Sequence, residues 1–122
     1  MSTESNKAVT SEMIDQVWNH QHLDQIGKYV AEGFVHHDLP GVNSREAFRG
    51  FLGSLLKAFP DFKVDIEFQV AEGDYVVHYQ TVSGTQEGFF NGMPATGKKM
   101  KVKGMFILCL RDGKVAEAWG MN

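Results

Sequence analysis

The sequence predicts an α+β fold in which three N-terminal helices pack on a strongly curved, mostly antiparallel β-sheet. Apolar residues recur at helical spacing as far as Phe59, and from Phe62 onward they alternate with polar residues, as in strands. Helices followed by a run of strands are typical of α+β domains. A curved sheet wrapped over helices makes a cone with one open end, and such a cone encloses a pocket for a small molecule.

One domain is expected over residues 1–122, because this length supports a single sizeable core. Residues 1–7 are polar and are expected to be disordered. The first helix is expected from about residue 8 to residue 19, where apolar side chains recur at helical spacing. They are Val9, Met13, Ile14, Val17 and Trp18.

Two further helices are expected before the sheet. The second is short, over about residues 23–30, and Gly33 is expected to follow its C-terminus. Residues 34–41 then form a short strand and a turn. Asn43-Ser44 caps the third helix, and Pro60 stops it. Its apolar face consists of Phe48, Phe51, Leu52, Leu55, Leu56 and Phe59.

The rest of the chain is expected to be β-structure. Residues 62–70 alternate most regularly between apolar and polar side chains, which indicates a half-buried strand. Glu72-Gly-Asp74 turns the chain into a second strand, residues 75–85, that pairs with it in antiparallel orientation. Asp112-Gly113 joins the last two strands, because glycine readily takes the positive φ of a tight hairpin turn.

Glu117 is the ionisable residue of greatest interest. Side chains two residues apart share one face of a strand, so Val115, Glu117, Trp119 and Met121 are expected to point the same way. On an apolar face, burial would raise the pKa of Glu117, which suits a general acid or base near neutral pH. The alternative is a surface carboxylate that faces a lysine on the convex side of the sheet.

The histidines offer a second set of candidates. His36 and His37 are adjacent at the end of a short strand, so only one of them can point inward. The functional interpretation makes His37 a donor or proton carrier in the pocket, and the alternative is a surface histidine beside a turn. His20 and His22 could add to a metal site, but no Cys pair or His-Glu motif supports one, and no metal is expected.

Aromatic residues are candidates for the pocket wall. His78 and Tyr79 lie on opposite faces of their strand. Tyr79 either offers its hydroxyl to a ligand or packs with that hydroxyl at the edge of the sheet. The complete set of expected wall residues is Trp18, Tyr79, Phe106 and Trp119.

Charge and composition exclude several classes of partner. A net charge of −3 gives no reason to expect nucleic acid or an anionic membrane. No apolar run approaches the roughly 20 residues that span a bilayer, and no signal-peptide pattern is visible. Cys109 is the single cysteine and lies in an apolar strand, so it is expected to be a buried thiol. A cytoplasmic location follows as the expectation.

Several short motifs occur in order from about residue 13 to the end. The most specific are Ala58-Phe-Pro-Asp61, Gly92-Met-Pro-Ala-Thr-Gly-Lys98 and Asp112-Gly-Lys-Val-Ala-Glu-Ala-Trp119, supported by Val17-Trp-Asn19, Phe34-Val-His-His-Asp38, Ala71-Glu-Gly-Asp74 and Ser83-Gly-Thr85. In this combination the chain resembles the SnoaL-like polyketide cyclase (ester cyclase) family of the NTF2-like superfamily.

The resemblance implies an NTF2-like conical barrel, usually a homodimer through the sheet, with a deep apolar pocket. Characterised members close the last ring of an aromatic polyketide by aldol condensation, using an acid/base carboxylate and no cofactor or metal. Their catalytic aspartate lies around and just after the position of Trp119, where Gly120-Met-Asn122 contains no carboxylate. Gln86 and Ala118 also stand where the family often has histidine.

The expected function is therefore cofactor-free proton transfer, in a cyclisation, isomerisation or lyase reaction, on a small and largely apolar carbonyl compound. His37 and Glu117 are expected to be its ionisable pair. A second hypothesis is a non-catalytic ligand-binding or dimerisation module that kept the fold. A third is hydrolysis of an epoxide or an ester, which requires a pair of carboxylates to position water.

Overall fold

The computed structural model describes residues 2–90 and 92–121 and confirms the α+β architecture. The helices are α1 (Thr3–Met13), a π-helical segment (Ile14–Asn19), a 3-10 turn (Leu23–Gln25), α2 (Ile26–Tyr29) and α3 (Arg45–Ala58). The strands are β1 (Val30–His36), β2 (Lys63–Glu72), β3 (Tyr75–Thr85), β4 (Lys99–Arg111) and β5 (Lys114–Met121). They form one sheet in the order β1-β5-β4-β3-β2. β1 runs parallel to β5, and the other neighbours are antiparallel.

The first helix begins at Thr3, not at about residue 8. Ser2 caps it, because the Ser2 hydroxyl oxygen accepts a hydrogen bond from the backbone N–H of Ser5. Residues 3–7 are helical, in contrast to the disorder expected from their polar sequence. Asn6 is even buried against the rest of the molecule. Met1 lies outside the described residues.

α1 continues into the π-helical segment without a break. Asn19 at its end is fixed to β2, since its side chain accepts from the Val64 N–H at 2.7 Å and donates to the Val64 carbonyl at 2.9 Å. Trp18 packs between Phe48 and Phe62, with ring centroids 6.1 and 5.7 Å away. π-helical turns are rare and are frequent at functional sites, which draws attention to Trp18.

The second and third helices fit the sequence pattern in part. α2 ends at Tyr29, and Gly33 lies inside β1, so the expected role of Gly33 after a helix C-terminus is wrong. The reason is tertiary: Val30 already pairs with Val115 of β5, and this pairing extends the chain. Ser44 caps α3 as expected, because its hydroxyl accepts from the Ala47 N–H.

β2 is a strand as predicted, but it has a bulge between Ile66 and Phe68. The apolar side chains before the bulge point to one face of the sheet, and those after it point to the other. Before the bulge, Val64 is buried on the inner face. After it, Phe68 and Val70 are 54% and 53% exposed on the outer face. The extra residue of a bulge shifts the alternation by one position, which is why the sequence pattern misassigns them.

A second bulge, in the β4–β5 pair, decides the orientation of Glu117. Cys109 pairs with Glu117, but the next residue of β4, Leu110, pairs with Val115. Val115 is buried on the inner face, whereas Glu117 points to the outer face. The expectation that Val115 and Glu117 share a face is wrong, and the side chain of Met121 lies outside the described part of the chain.

The core lies between the helices and the inner face of the sheet. Its most deeply buried members include Val17, Val30, Phe34, Leu52, Val76 and Val115. Cys109 is a buried free thiol, as expected, and burial raises the pKa of that thiol. This packing leaves one end of the space between helices and sheet unfilled, and the candidate site occupies it.

Candidate active site

A cavity of about 410 Å³ lies between the helices and the inner face of the sheet. Its wall is mostly apolar, with Phe34, Phe48, Phe51, Leu55, Phe62, Val82, Phe90, Phe106 and Leu108 among the lining residues. The polar side chains in the wall are few: Trp18, His36, Asp38, His78 and Gln80. An apolar cavity with a few polar groups is the usual form of a small-molecule site.

His36 lines this cavity, and His37 does not. Nδ1 of His36 accepts a hydrogen bond from the backbone N–H of Asp38 at 3.2 Å. Nδ1 is therefore unprotonated in the neutral ring, and Nε2 carries the hydrogen. Burial lowers the pKa of His36, so the imidazole is neutral near pH 7. The residue offers a neutral N–H donor at the cavity.

Asp38 is the only carboxylate among the described residues that line the cavity. Its Oδ2 atom accepts a hydrogen bond from the backbone N–H of Gly120 at 2.9 Å, which ties the end of β1 to β5. The side chain is exposed and therefore sits toward solvent. Gly120 faces Phe106 so closely that an added Cβ would lie 2.5 Å from the Phe106 ring.

His37 and Glu117 do come together, but outside the cavity. Nε2 of His37 lies 2.9 Å from Oε1 of Glu117, and Arg111 binds the other carboxylate oxygen. The His37 ring stacks on Trp119 with centroids 4.7 Å apart. Hydrogen bonds from His37 and then Arg111 lower the pKa of Glu117, so the expected upward shift is wrong. His37, Arg111 and the ionised Glu117 carboxylate form a polar cluster on the outer face of the sheet.

Of the four expected wall residues, two line the cavity and two do not. Trp18 and Phe106 line the cavity. Tyr79 lies on the outer face, where its ring is 5.3 Å from the Phe68 ring and 5.7 Å from Nζ of Lys103. Trp119 lies on the same outer face against His37, so neither it nor Tyr79 contributes to the wall.

His78 and Gln80 are polar wall residues that the sequence analysis did not select. His78 is fully buried, and its Nε2 atom lies 2.9 Å from the Thr10 hydroxyl and 3.0 Å from the Gln69 amide nitrogen. Burial lowers the pKa of His78 to about 4, with the Gln80 side chain offsetting this only in part. The alternation that turns Tyr79 outward is the signal that could have identified both.

No group of three or more histidine, cysteine, aspartate or glutamate side chains is placed to hold a metal ion within residues 2–90 and 92–121. The rings of His20 and His22 lie 5.8 Å apart, and both residues are exposed. In the same part of the chain, none of the helices has the length and apolar character needed to cross a bilayer.

A curved five-stranded sheet that encloses an apolar cavity under three helices defines the NTF2-like class of α+β proteins. The family model of the SnoaL-like polyketide cyclases matches residues 8–122. The chain therefore belongs to the SnoaL-like polyketide cyclase family. No curated protein is significantly similar to it in sequence.

Solved structures agree with this family. AclR from Streptomyces galilaeus, a candidate hydroxylase, is 32% identical with a TM-score of 0.84, over 98% of this chain and 90% of that one. A candidate SnoaL-like polyketide cyclase from Jannaschia sp. CCS1 is 28% identical with a TM-score of 0.89, over 98% and 85%. TsrD from Streptomyces laurentii, 21% identical over 99% and 90%, shares the fold with a TM-score of 0.90.

Proposed function

We propose that this protein is a cofactor-free enzyme that transfers protons on a small, largely apolar carbonyl compound, in a cyclisation or isomerisation of the polyketide type. The observation that carries the proposal is the placement of His36 and Asp38 at one apolar cavity. A carboxylate and a neutral imidazole supply a base and a hydrogen-bond donor, which are the two groups that enolate formation requires. Membership of the SnoaL-like family supports the same class of reaction.

In the proposed reaction, Asp38 is the base. Its Oδ2 atom is held by the Gly120 N–H, which leaves Oδ1 to take a proton from the carbon next to the substrate carbonyl. The electron pair of that C–H bond moves into the enolate, and the negative charge develops on the carbonyl oxygen. In a cyclisation the enolate carbon then attacks a second carbonyl, and the alkoxide that forms takes the proton back from Asp38. In an isomerisation the enolate is conjugated with a C=C bond, and Asp38 returns the proton to the far carbon of that system.

His36 is the proposed donor to the enolate oxygen. The bond from the Asp38 N–H to Nδ1 fixes the ring orientation and keeps the hydrogen on Nε2. Because burial lowers the pKa of His36, the ring needs no protonation to act as a donor near pH 7. Hydrogen bonds to developing charge are strong in a cavity with few water molecules.

The roles expected for His37 and Glu117 are not part of this proposal. Their side chains bind each other and Arg111 on the outer face, and the ionised Glu117 has no access to the cavity. Hydrolysis of an epoxide or an ester is also less well supported, because Asp38 has no second carboxylate beside it among the described lining residues.

Exchange of deuterium for hydrogen tests the proposal directly. In D₂O, the wild-type protein is expected to exchange the C1 protons of 2-tetralone for deuterium faster than buffer alone does. The loss of the C1 signal in ¹H NMR measures the rate. Asp38→Asn keeps an oxygen for the Gly120 N–H but removes the base, so we expect a loss of at least about 100-fold. Glu117→Gln is the matched control and is expected to keep the wild-type rate.

Two outcomes would contradict the proposal. If Asp38→Asn exchanges as fast as the wild type, the base is not Asp38. If the wild type binds 2-tetralone and related ketones without accelerating exchange, the alternative of a non-catalytic binding module is supported instead.

A homodimer through the outer face of the sheet is also proposed. Four side chains on this face are about half exposed: Phe68 (54%), Val70 (53%), Tyr75 (49%) and Met105 (49%). Large apolar side chains that are exposed together on one face of a sheet favour an interaction surface. A second copy of this chain presents the same apolar patch, so the two patches can cover each other around a two-fold axis.

A cytoplasmic location is proposed on the basis of the cysteine. Cys109 is a free thiol. Free thiols are typical of reducing compartments. The acidic net charge of −3 fits the proposal that the partner is a small molecule and not a nucleic acid.

A further inference from the structure

The loop between β3 and β4 contributes Phe90 to the wall of the cavity. Phe90 also lines a second, shallower hollow on the exposed side of α3. The other residues of this hollow are Gly50, Phe51, Ser54 and Phe89. Of the residues that line the hollow, Phe90 and Phe51 also line the cavity. These two rings therefore separate the cavity from the hollow.

The Phe90 ring is held by aromatic contacts with α3 and with the residue that follows α3. Its centroid lies 6.1 Å from that of the Phe51 ring, at an interplanar angle of 63°. It lies 6.0 Å from the centroid of the Phe59 ring, at an angle of 79°. Edge-to-face contacts of this kind are favourable, and they define the plane of a ring. Phe90 is therefore a packed part of the wall.

The backbone turn that carries Phe90 is closed by two hydrogen bonds. The Phe90 N–H donates to the Met93 carbonyl at 3.0 Å, and the Met93 N–H donates to the Phe90 carbonyl at 2.9 Å. The side-chain amide nitrogen of Gln86 lies 3.3 Å from the same Met93 carbonyl oxygen. It also lies 3.2 Å from the Gly88 carbonyl oxygen and 3.3 Å from that of Pro94. Gln86 thus binds the backbone before and after Phe90.

The Gly92-Met-Pro-Ala-Thr-Gly-Lys98 motif closes this loop on Gln86. The Thr96 hydroxyl donates to Oε1 of Gln86 at 3.2 Å, and the Gly97 N–H donates to the Gln86 backbone carbonyl at 2.8 Å. Gly92 and Gly97 have φ angles of +78° and +68°, which glycine adopts readily. Three carbonyls surround one end of the Gln86 amide and identify that end as the nitrogen, because a carbonyl oxygen can only accept.

The same loop is anchored to the C-terminal end of α3. The backbone N–H groups of Glu87 and Gly88 both donate to the Ala58 carbonyl, at 2.8 and 3.2 Å. An added Cβ at Gly88 would lie 3.1 Å from Cα of Ala58, so the two backbones are in close contact. This anchor precedes Phe90 in the chain, and the bonds from Gln86 to residues 93 and 94 follow it. The ring is therefore fixed from both sides.

We infer that Phe90 limits the length of the ligand that the cavity accepts, and that Gln86 is the residue that positions Phe90. A ligand that fills the cavity meets the Phe90 ring, and a longer apolar chain would have to displace it. Without this ring the cavity would open into the hollow beside α3. Phe51 and Phe89 give that hollow an apolar surface, which suits an unbranched hydrocarbon chain. The inference rests on the proposed function in one respect, namely that the substrate occupies this cavity.

A homologous series of alkyl phenyl ketones, from acetophenone to octanophenone, tests the inference by calorimetry. In the wild type, each added methylene is expected to tighten binding by about fourfold until the chain reaches Phe90. Longer chains are expected to gain no further affinity. In Phe90→Ala the gain should continue for at least about two more carbons, because removal of the ring leaves a cavity beside the chain.

Phe89→Ala is the matched control. It removes a ring of the same size from the same loop, but Phe89 is 70% exposed and does not line the cavity. This variant is expected to keep the chain-length limit of the wild type. The same limit in the wild type and in Phe90→Ala would overturn the inference, as would a wild-type affinity that increases through the whole series. If Phe90→Ala does not fold, Phe90→Leu takes its place and is expected to shift the limit in the same direction.

Gln86→Leu tests the positioning role. It keeps a similar volume and removes the donor to the three carbonyls, so the limit should relax in the same direction as in Phe90→Ala. The double variant should have the limit of Phe90→Ala alone, because Gln86 acts through Phe90. A loss of stability by itself would weaken the binding of every ketone and leave the limit in place. An unchanged limit in Gln86→Leu would contradict the positioning role. Gln86→Asn, whose amide is too short to reach the three carbonyls, is the second variant if Gln86→Leu does not fold.

Binding of these ketones is measured without turnover. A limit that depends on Phe90 without deuterium exchange of 2-tetralone would support the inference and contradict the proposed reaction. Exchange that depends on Asp38, with the same limit in the wild type and in Phe90→Ala, would do the opposite. A wild type that binds none of the ketones would contradict both.

Discussion

Nε2 of His37 lies 2.9 Å from Oε1 of Glu117 on the outer face of the sheet, opposite to the face that lines the cavity. This contact joins the residue after β1 to β5, the two strands that pair in parallel. The adjacent residues, His36 and Ala118, pair with each other and line the cavity. One strand pair therefore carries an ionised structural cluster on one face and the candidate catalytic groups on the other.

The outer cluster is expected to stabilise the protein in a pH-dependent way. Hydrogen bonds in the folded state lower the pKa of Glu117 below its ordinary value of 4.5. The stabilisation is therefore present above pH 4.5 and is lost as the pH falls through the lower folded-state pKa. Glu117→Gln should have a smaller free energy of unfolding than the wild type at pH 7, and this difference should shrink below pH 4.5.

Urea unfolding of both proteins between pH 3 and pH 7 measures this difference. Glu72→Gln, at the end of the edge strand β2, is a suitable control, because Glu72 forms no ion pair with the described residues. A difference between wild type and Glu117→Gln that stays constant over the whole pH range would contradict the lowered pKa of Glu117.

Gly120 is expected to tolerate no side chain. A Cβ at this position would lie 2.5 and 2.7 Å from two atoms of the Phe106 ring and 3.5 Å from His36. Gly120→Ala should lower the free energy of unfolding by about 1–3 kcal/mol, because the Phe106 ring must leave its position. Thermal unfolding measures the effect, and the double variant with Phe106→Leu should recover part of it.

Gly50→Ala is the matched control for this prediction. An added Cβ at Gly50 meets nothing within 4 Å, and the residue lies inside α3. Alanine is favoured over glycine in a helix, so the control should be more stable than the wild type by about 0.5–1 kcal/mol. A Gly120→Ala variant as stable as the wild type would show that the Phe106 ring does not need this space.

The proposed dimer is expected to depend on Phe68. Its side chain is 54% exposed and lies on the apolar outer face beside Tyr79. Phe68→Lys places a charge in the proposed interface and should convert the dimer to a monomer, as measured by sedimentation velocity at micromolar concentration. Phe89→Lys is the control, because Phe89 is 70% exposed but lies in the loop between β3 and β4. A monomeric wild type would refute the proposal.

Local signals in the sequence predict most of the elements. The helical spacing before Phe59, the cap at Ser44 and the hairpin at Asp112-Gly113 each depend on residues close in sequence, and each is observed. The start of α1 has no apolar periodicity to indicate it, because the Ser2 cap and the buried Asn6 are both polar. Motif similarity along the chain was sufficient to predict the family and its fold.

The orientation of the candidate site could not be predicted in the same way. Strand periodicity predicts that only one of His36 and His37 points inward, but it does not predict which one. The two bulges shift the alternation of β2 and β5 by one residue, so Phe68 and Glu117 face outward against the simple pattern. A bulge depends on how a strand pairs with its neighbour, and this information is absent from the strand itself.

The sequence by itself determined the class of fold, the family and the presence of an apolar cavity, because these follow from periodicity and motifs that are local in the chain. Only the tertiary structure decided that His36 and Asp38, and not His37 and Glu117, meet that cavity. It also decided that His78 and Gln80 are buried in the wall of that cavity. The physical reason is that the face on which a side chain lies is fixed by strand register, and register is a property of paired strands.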